Sequence, residues 1–152
     1  MAVPNILMAL AVVLGLSAGS AGPSLAAGPV ATVTAKAPAD LRVPLPPGRG
    51  SGAPVLTLTL APTQVDRDEA FVVAVYRADD AADAQPLAVF SFFPPPRVGK
   101  TADFVAPAPA EAVAAAGADG ALRLRIALLP AAKDGRLERS ALDVLSARLG
   151  WE

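Results

Sequence analysis

Ala121-Leu122-Arg123-Leu124-Arg125-Ile126-Ala127-Leu128-Leu129 puts Leu122, Leu124, Ile126 and Leu128 on one side of an extended chain, and Arg123, Arg125 and Ala127 on the other. A period of two marks a strand with one face in a core and one in water. The same period runs through Val55 to Leu60, where Leu56, Leu58 and Leu60 oppose Val55, Thr57 and Thr59. Phe71 to Tyr76 is β-branched and aromatic, with Phe71, Val73 and Val75 facing one way. Leu87 to Phe93 forms a further predicted strand, Phe90 and Phe92 on one side and Val89 and Phe93 on the other, stopped by Pro94, Pro95 and Pro96. A last strand is predicted over Ser140 to Ala147.

The segments between these strands are turns. Pro62 to Glu69 reads as a polar connection, Asp79 to Gln85 as an acidic loop and Asp119-Gly120 as a tight turn. Lys133-Asp134-Gly135 carries the Asp-Gly pair favoured in hairpins. One short helix is predicted at Pro109 to Ala116: proline suits its first position, Glu111 its first turn, and Gly117 a left-handed cap. Short strands at roughly ten-residue spacing, with one helix in a crossover, predict an all-β antiparallel sandwich of about 6–8 strands.

Upstream of Val55 the composition changes. Ile6 to Leu16 is an apolar block of signal-peptide length, and Ser24-Leu25-Ala26 offers a small-x-small cleavage pattern. Met1 to Asn5 lacks the basic side chain of a standard leader, and Lys36 is the first charged side chain of the chain. The expectation is export to the periplasm or the cell exterior, with a membrane anchor over residues 6–16 as the alternative. That block is shorter than the ~20 residues a spanning helix needs. Residues 27–53 are rich in Ala, Pro and Gly and read as linker, although Val30 to Thr34 and Leu41 to Leu45 keep enough alternation to pair as edge strands. The division is thus a leader over 1–26, a linker over 27–53 and a sandwich over 54–149.

Composition removes most chemistry. The chain has no histidine and no cysteine, so it holds no Ser/His/Asp triad, no thiolate nucleophile, no zinc finger and no histidine-ligated copper or iron. Its two methionines both lie in the leader, and no cofactor or metal is expected. Thirteen basic against 14 acidic residues leave a net charge of −1, which gives no case for nucleic-acid binding or, once the leader is removed, for membrane contact. Asp66, Asp68 and Glu69, and separately Asp79, Asp80 and Asp83, are oxygen donors, but neither group follows a calcium-binding loop. Solvated turn residues are the simpler reading. No catalytic residue is assigned, and the chain is expected not to be an enzyme.

Phe71-Val72-Val73-Ala74-Val75-Tyr76, then Leu87-Ala88-Val89-Phe90-Ser91-Phe92-Phe93-Pro94, then an Ala-rich helix running into Leu122 to Pro130, follow one another in an order and spacing that resemble the C-terminal β-sandwich domain of tyrosinases and plant polyphenol oxidases. The resemblance spans about Val55 to Leu149, with Leu142 to Ala147 in the place of the closing strand. Val72 stands where the plant pattern carries an acidic residue, and the copper-binding catalytic domain is absent from the chain. In that family the domain covers the mouth of the copper site. The resemblance therefore implies a free-standing shield or accessory subunit for a separately encoded tyrosinase-like copper oxidase, although no residue here matches the family's plugging side chain.

Phe90, Phe92 and Phe93 are the candidate partner-binding residues, because an exposed aromatic beside a rigid proline turn makes an anchor. Alternation sends Phe93 away from the other two, and packing of all three in the core is the alternative. Arg123 and Arg125 line a solvent face, where they blunt the sheet or meet an acidic partner. Trp151 either covers the end of the sandwich or frays. Two other functions stay open: a general extracellular structural or adhesive module without an enzyme partner, and, as a minor alternative, a carboxylate-dependent hydrolase.

Overall fold

Leu122, Leu124, Ile126 and Leu128 point into the interior of the folded chain, each at most 5% exposed, while Arg123 faces water. The computed structural model describes residues 28–48 and 50–152. The leader, its cleavage site and the candidate anchor lie outside the described residues. Eight strands occur in order: β1 (Ala31–Thr34), β2 (Ala39–Pro44), β3 (Pro54–Gln64), β4 (Phe71–Arg77), β5 (Ala88–Phe90), β6 (Ala102–Pro107), β7 (Ala121–Pro130) and β8 (Ala141–Trp151). One helix, α1 (Ala110–Ala115), precedes a 3-10 turn over Ala116–Ala118 and connects β6 to β7.

The strands make two four-stranded antiparallel sheets, β1-β8-β3-β6 and β2-β7-β4-β5, packed as a sandwich. Each strand pairs with the one whose number completes nine: β1 with β8, β2 with β7, β3 with β6 and β4 with β5. The chain is therefore one long antiparallel hairpin wound so that its successive strand pairs alternate between the two sheets, which is jelly-roll connectivity. The β4–β5 loop is the tip of this hairpin. Its base is formed by the start of β1 and by β8.

The core lies between the sheets. Leu56, Leu58 and Leu60 of β3, with Leu142 and Val144 of β8, meet Val73 and Val75 of β4 and the inward leucines of β7. Each such side chain contributes about 1.5–3 kcal/mol by leaving water. With no disulfide available, this burial carries the fold.

Several expectations need correction. The 27–53 segment is not simply linker, because β1 and β2 lie within it and bury Val33, Leu41 and Val43. They enter opposite sheets and are joined by a tight turn in which Thr34 bridges Ala37. Their edge positions tolerate Pro44 without breaking a ladder. β3 runs on through a buried Pro62 to Gln64, using irregular register beside β8 where a polar connection was expected. β5 stops at Phe90 rather than Phe93, and β6 was not foreseen at all.

Pro109 is the residue before α1, not its first residue, and the left-handed glycine is Gly120 (φ +64) rather than Gly117. Lys133-Asp134-Gly135 does turn the chain, yet it joins β7 to β8 in the other sheet and closes no hairpin. β8 extends past Ala147 to Trp151, beyond the expected end of the domain at 149. Trp151 is not frayed: it pairs with Pro54 and is half-buried. A side chain on Gly50 would strike its indole, and one on Gly52 the backbone of Glu152, so the loop before β3 lies flat against the chain end.

Candidate functional site

The three aromatic candidates part company at the end of β5. Phe90 is the last residue of that strand and points inward, 8% exposed, with its ring 5.0 Å from that of Phe104 on β6. Phe92 lies beyond the strand but folds back, edge-on to Phe104 at 5.1 Å and to Phe71 of β4 at 5.9 Å. These are favourable edge-to-face distances, and they fill the gap where the sheets diverge. Phe90 and Phe92 are therefore committed to packing. Phe93, next in the chain, is 99% exposed.

Sequence reasoning placed Phe93 opposite its two neighbours by strand alternation. The outcome agrees, although the strand has already ended. The cause is Pro94 to Pro96: with no N–H to donate, this run cannot continue a ladder, and it carries the chain outward as a stiff loop with Phe93 at its start.

Other apolar side chains are exposed on this side of the sandwich. Among the described residues the exposed large hydrophobic side chains are Val30, Val89, Phe93, Val98, Val105 and Leu145. Four of these six belong to β5, β6 and the loop between them, which form one side of the sandwich. Two clefts of about 500 Å³ flank the loop. The first is lined by Phe93, the three prolines, Arg97, Lys100 and the start of β6. The second lies under Pro95 and Pro96 and is floored by Phe71, Val72 and Phe92.

The acidic residues do something else. The carboxylate of Glu69, 8% exposed, accepts hydrogen bonds from the backbone N–H groups of Glu138 (2.8 Å), Arg139 (3.0 and 3.1 Å) and Ser140 (2.9 Å), and from the Ser140 hydroxyl (2.8 Å). Burial alone would raise its pKa. The Ser140 hydroxyl and the three N–H donors overcome that and hold the group at about 2, well below its usual 4.5. Glu69 is thus a clasp that fastens the β7–β8 connection to the chain just before β4. Asp66 supports it, pairing with Arg139 at 2.9 Å and accepting the Asp68 N–H at 3.0 Å.

Asp79, Asp80 and Asp83 sit in the β4–β5 loop, where Asp80 accepts the Arg77 N–H. Among the described residues no three His, Cys, Asp or Glu side chains gather as a metal site. Arg125 pairs with Asp40 on β2 at 2.9 Å and Arg123 with Asp119 at 3.1 Å, so both arginines of β7 are answered within the molecule. The Glu69 clasp escaped sequence reasoning because its donors are backbone groups some 70 positions away. No family model, no curated protein and no solved structure matches the chain.

Proposed function

We propose that the protein is an exported, non-catalytic accessory module that docks on a partner protein through the β5–β6 side of the sandwich, with Phe93 as its anchor. The observation behind this reading is a fully exposed phenylalanine at the head of a proline run, on a side where Phe90 and Phe92 hold the underlying framework. Aromatic anchors on stiff supports lose little entropy when they bind. The resemblance to the tyrosinase tail makes a separately encoded copper phenol oxidase the first partner to test, with the module covering the mouth of its copper site. The lack of histidine and cysteine fits a shield rather than a copper ligand.

The test mixes the secreted protein with a tyrosinase copper domain lacking its own tail. Complex formation and suppression of phenol oxidation are expected. Phe93→Ala should weaken the complex by about 2 kcal/mol, roughly thirtyfold, while leaving the melting temperature unchanged. A complex indifferent to Phe93→Ala would refute the anchor, and no complex at all would remove the oxidase as partner. Intact mass of the secreted protein should place its first residue near Ala27.

A further inference from the structure

The sandwich has four sheet edges, and they are protected unequally. β1 is only four residues long. β2 carries Asp40 and Arg42, the first paired with Arg125 and the second bonded to the Asp119 carbonyl, and it ends in Pro44. β5 has three residues between Pro86 and Pro94. Short length, outward charge and proline are the usual means of stopping an edge from recruiting another strand. β6 pairs only with β3, runs for six residues and meets proline only at its last position. Its exposed side chains are Asp103, whose carboxylate is held by the Thr59 hydroxyl at 2.7 Å, and Val105, 58% exposed.

Charge beside this edge has one sign. The cleft at the start of β6 holds Arg97 and Lys100 against the single, already bonded carboxylate of Asp103. Neither cation makes a salt bridge within the described residues. Elsewhere Asp40 answers Arg125 and Asp119 answers Arg123, while Arg148 of β8, an interior strand of its sheet, makes no salt bridge among the described residues. Here two cations stand uncommitted next to unpaired backbone and an exposed valine.

We infer that β6 is a strand-addition site for an extended acidic segment of the partner, one that alternates carboxylates with small apolar side chains. Backbone pairing along Ala102–Pro107 supplies the affinity, Val105 meets the apolar side chains, and Arg97 and Lys100 select negative charge. The inference rests on the docking reading of this side of the molecule and names what the partner must present there.

The probe is a fluorescein-labelled peptide in which valine alternates with aspartate and glutamate, compared with a lysine counterpart and with an acidic version N-methylated on alternate backbone nitrogens. With the secreted protein, anisotropy should show the acidic peptide binding at least about tenfold more tightly than either control. Hydrogen exchange should show new protection of amides in β6 and not in β2. Arg97→Glu with Lys100→Glu should reverse the preference toward the lysine peptide, and Val105→Asn should weaken both. Absence of binding, equal binding of the three peptides, or binding without protection of β6 would overturn the inference. Phe93→Ala separates it from the docking reading: partner binding that survives this change removes the anchor, whereas loss of the acidic peptide's binding alone removes only the strand-addition site.

Discussion

The two open sides of the sandwich are built from the same materials and finished differently. On the β1–β2 side, Val33, Leu41 and Val43 are buried, Asp40 and Arg42 are met by Arg125 and the Asp119 carbonyl, and Val30, just before β1, is the large apolar side chain left exposed. On the β5–β6 side, the core is sealed beneath by Phe71, Phe90, Phe92 and Phe104, yet Val89, Phe93, Val98 and Val105 stay in water and Arg97 and Lys100 go unanswered. A chain able to close one side had the means to close the other. The difference teaches that burial of the aromatic framework and exposure of its neighbour belong to one arrangement, in which the packed rings hold Phe93 out.

That contrast can be broken at measurable points. The largest effect is expected from Phe90→Ala, which removes a buried ring of the cluster and the partner of Phe104, and should cost about 3–5 kcal/mol in chemical denaturation. A loss below about 1 kcal/mol would mean that the cluster is not a framework. Leu41→Ala on the closed side should cost about 2–3 kcal/mol, the low end for a buried leucine because an edge strand can settle into the space. Equal costs on the two sides would erase the distinction between a braced side and a merely closed one.

Glu69→Gln comes next. An amide offers N–H where the Glu138–Ser140 segment also offers N–H, so the melting temperature should fall at neutral pH. The native pKa of about 2 lies below the ordinary 4.5, so the unfolded chain binds the proton first as acid is added. The clasp therefore contributes fully above about pH 4.5, and its contribution disappears between there and about pH 2. Melting curves of the wild type should show this decline, and the Gln variant should lack that part of it. A variant as acid-sensitive as the wild type over this window would show that the clasp is not what acid releases.

Smaller still is Asp40→Asn, which opens an exposed pair with Arg125 and should lower the melting temperature by only a degree or two, less at high salt. Phe93→Ala should change stability by less than about 0.5 kcal/mol, the smallest effect of the set, because a side chain already in water loses nothing on removal. A sharp drop in melting temperature would place Phe93 in the core and end the comparison.

What the sequence disclosed follows from how each strand is buried. β3, β4 and β7 were legible because their inward leucines, valines and isoleucine recur at every second position against a two-layer core. β6 was not, since only Phe104 and Ala106 turn inward and the outward Val105 breaks the polar alternation that would mark a strand. β1 and β2 showed through as edge strands by local alternation alone, inside a segment whose alanines, prolines and glycines read as linker, a composition that linkers share with protected edges. At the candidate site, proline and alternation together singled out Phe93. The packing of Phe92 against Phe71 and Phe104 depends on partners 21 and 12 positions away, which no local pattern encodes.

The nine-sum pairing also sets an order of assembly. β4 and β5 are near neighbours in the chain, whereas Thr32 of β1 meets Asp143 of β8 across 111 positions. Closing the nearer pair costs less chain entropy, so the fold zips from the tip of the hairpin toward its base and finishes with the termini. β8, the last strand made, lies between β1 and β3 in the middle of its sheet. A chain that lacks β8 thus forfeits a central strand and cannot dock β1, while a chain cut just before Val30 keeps all eight strands. The architecture makes β8 a keystone, since the sandwich closes only in a molecule that holds it.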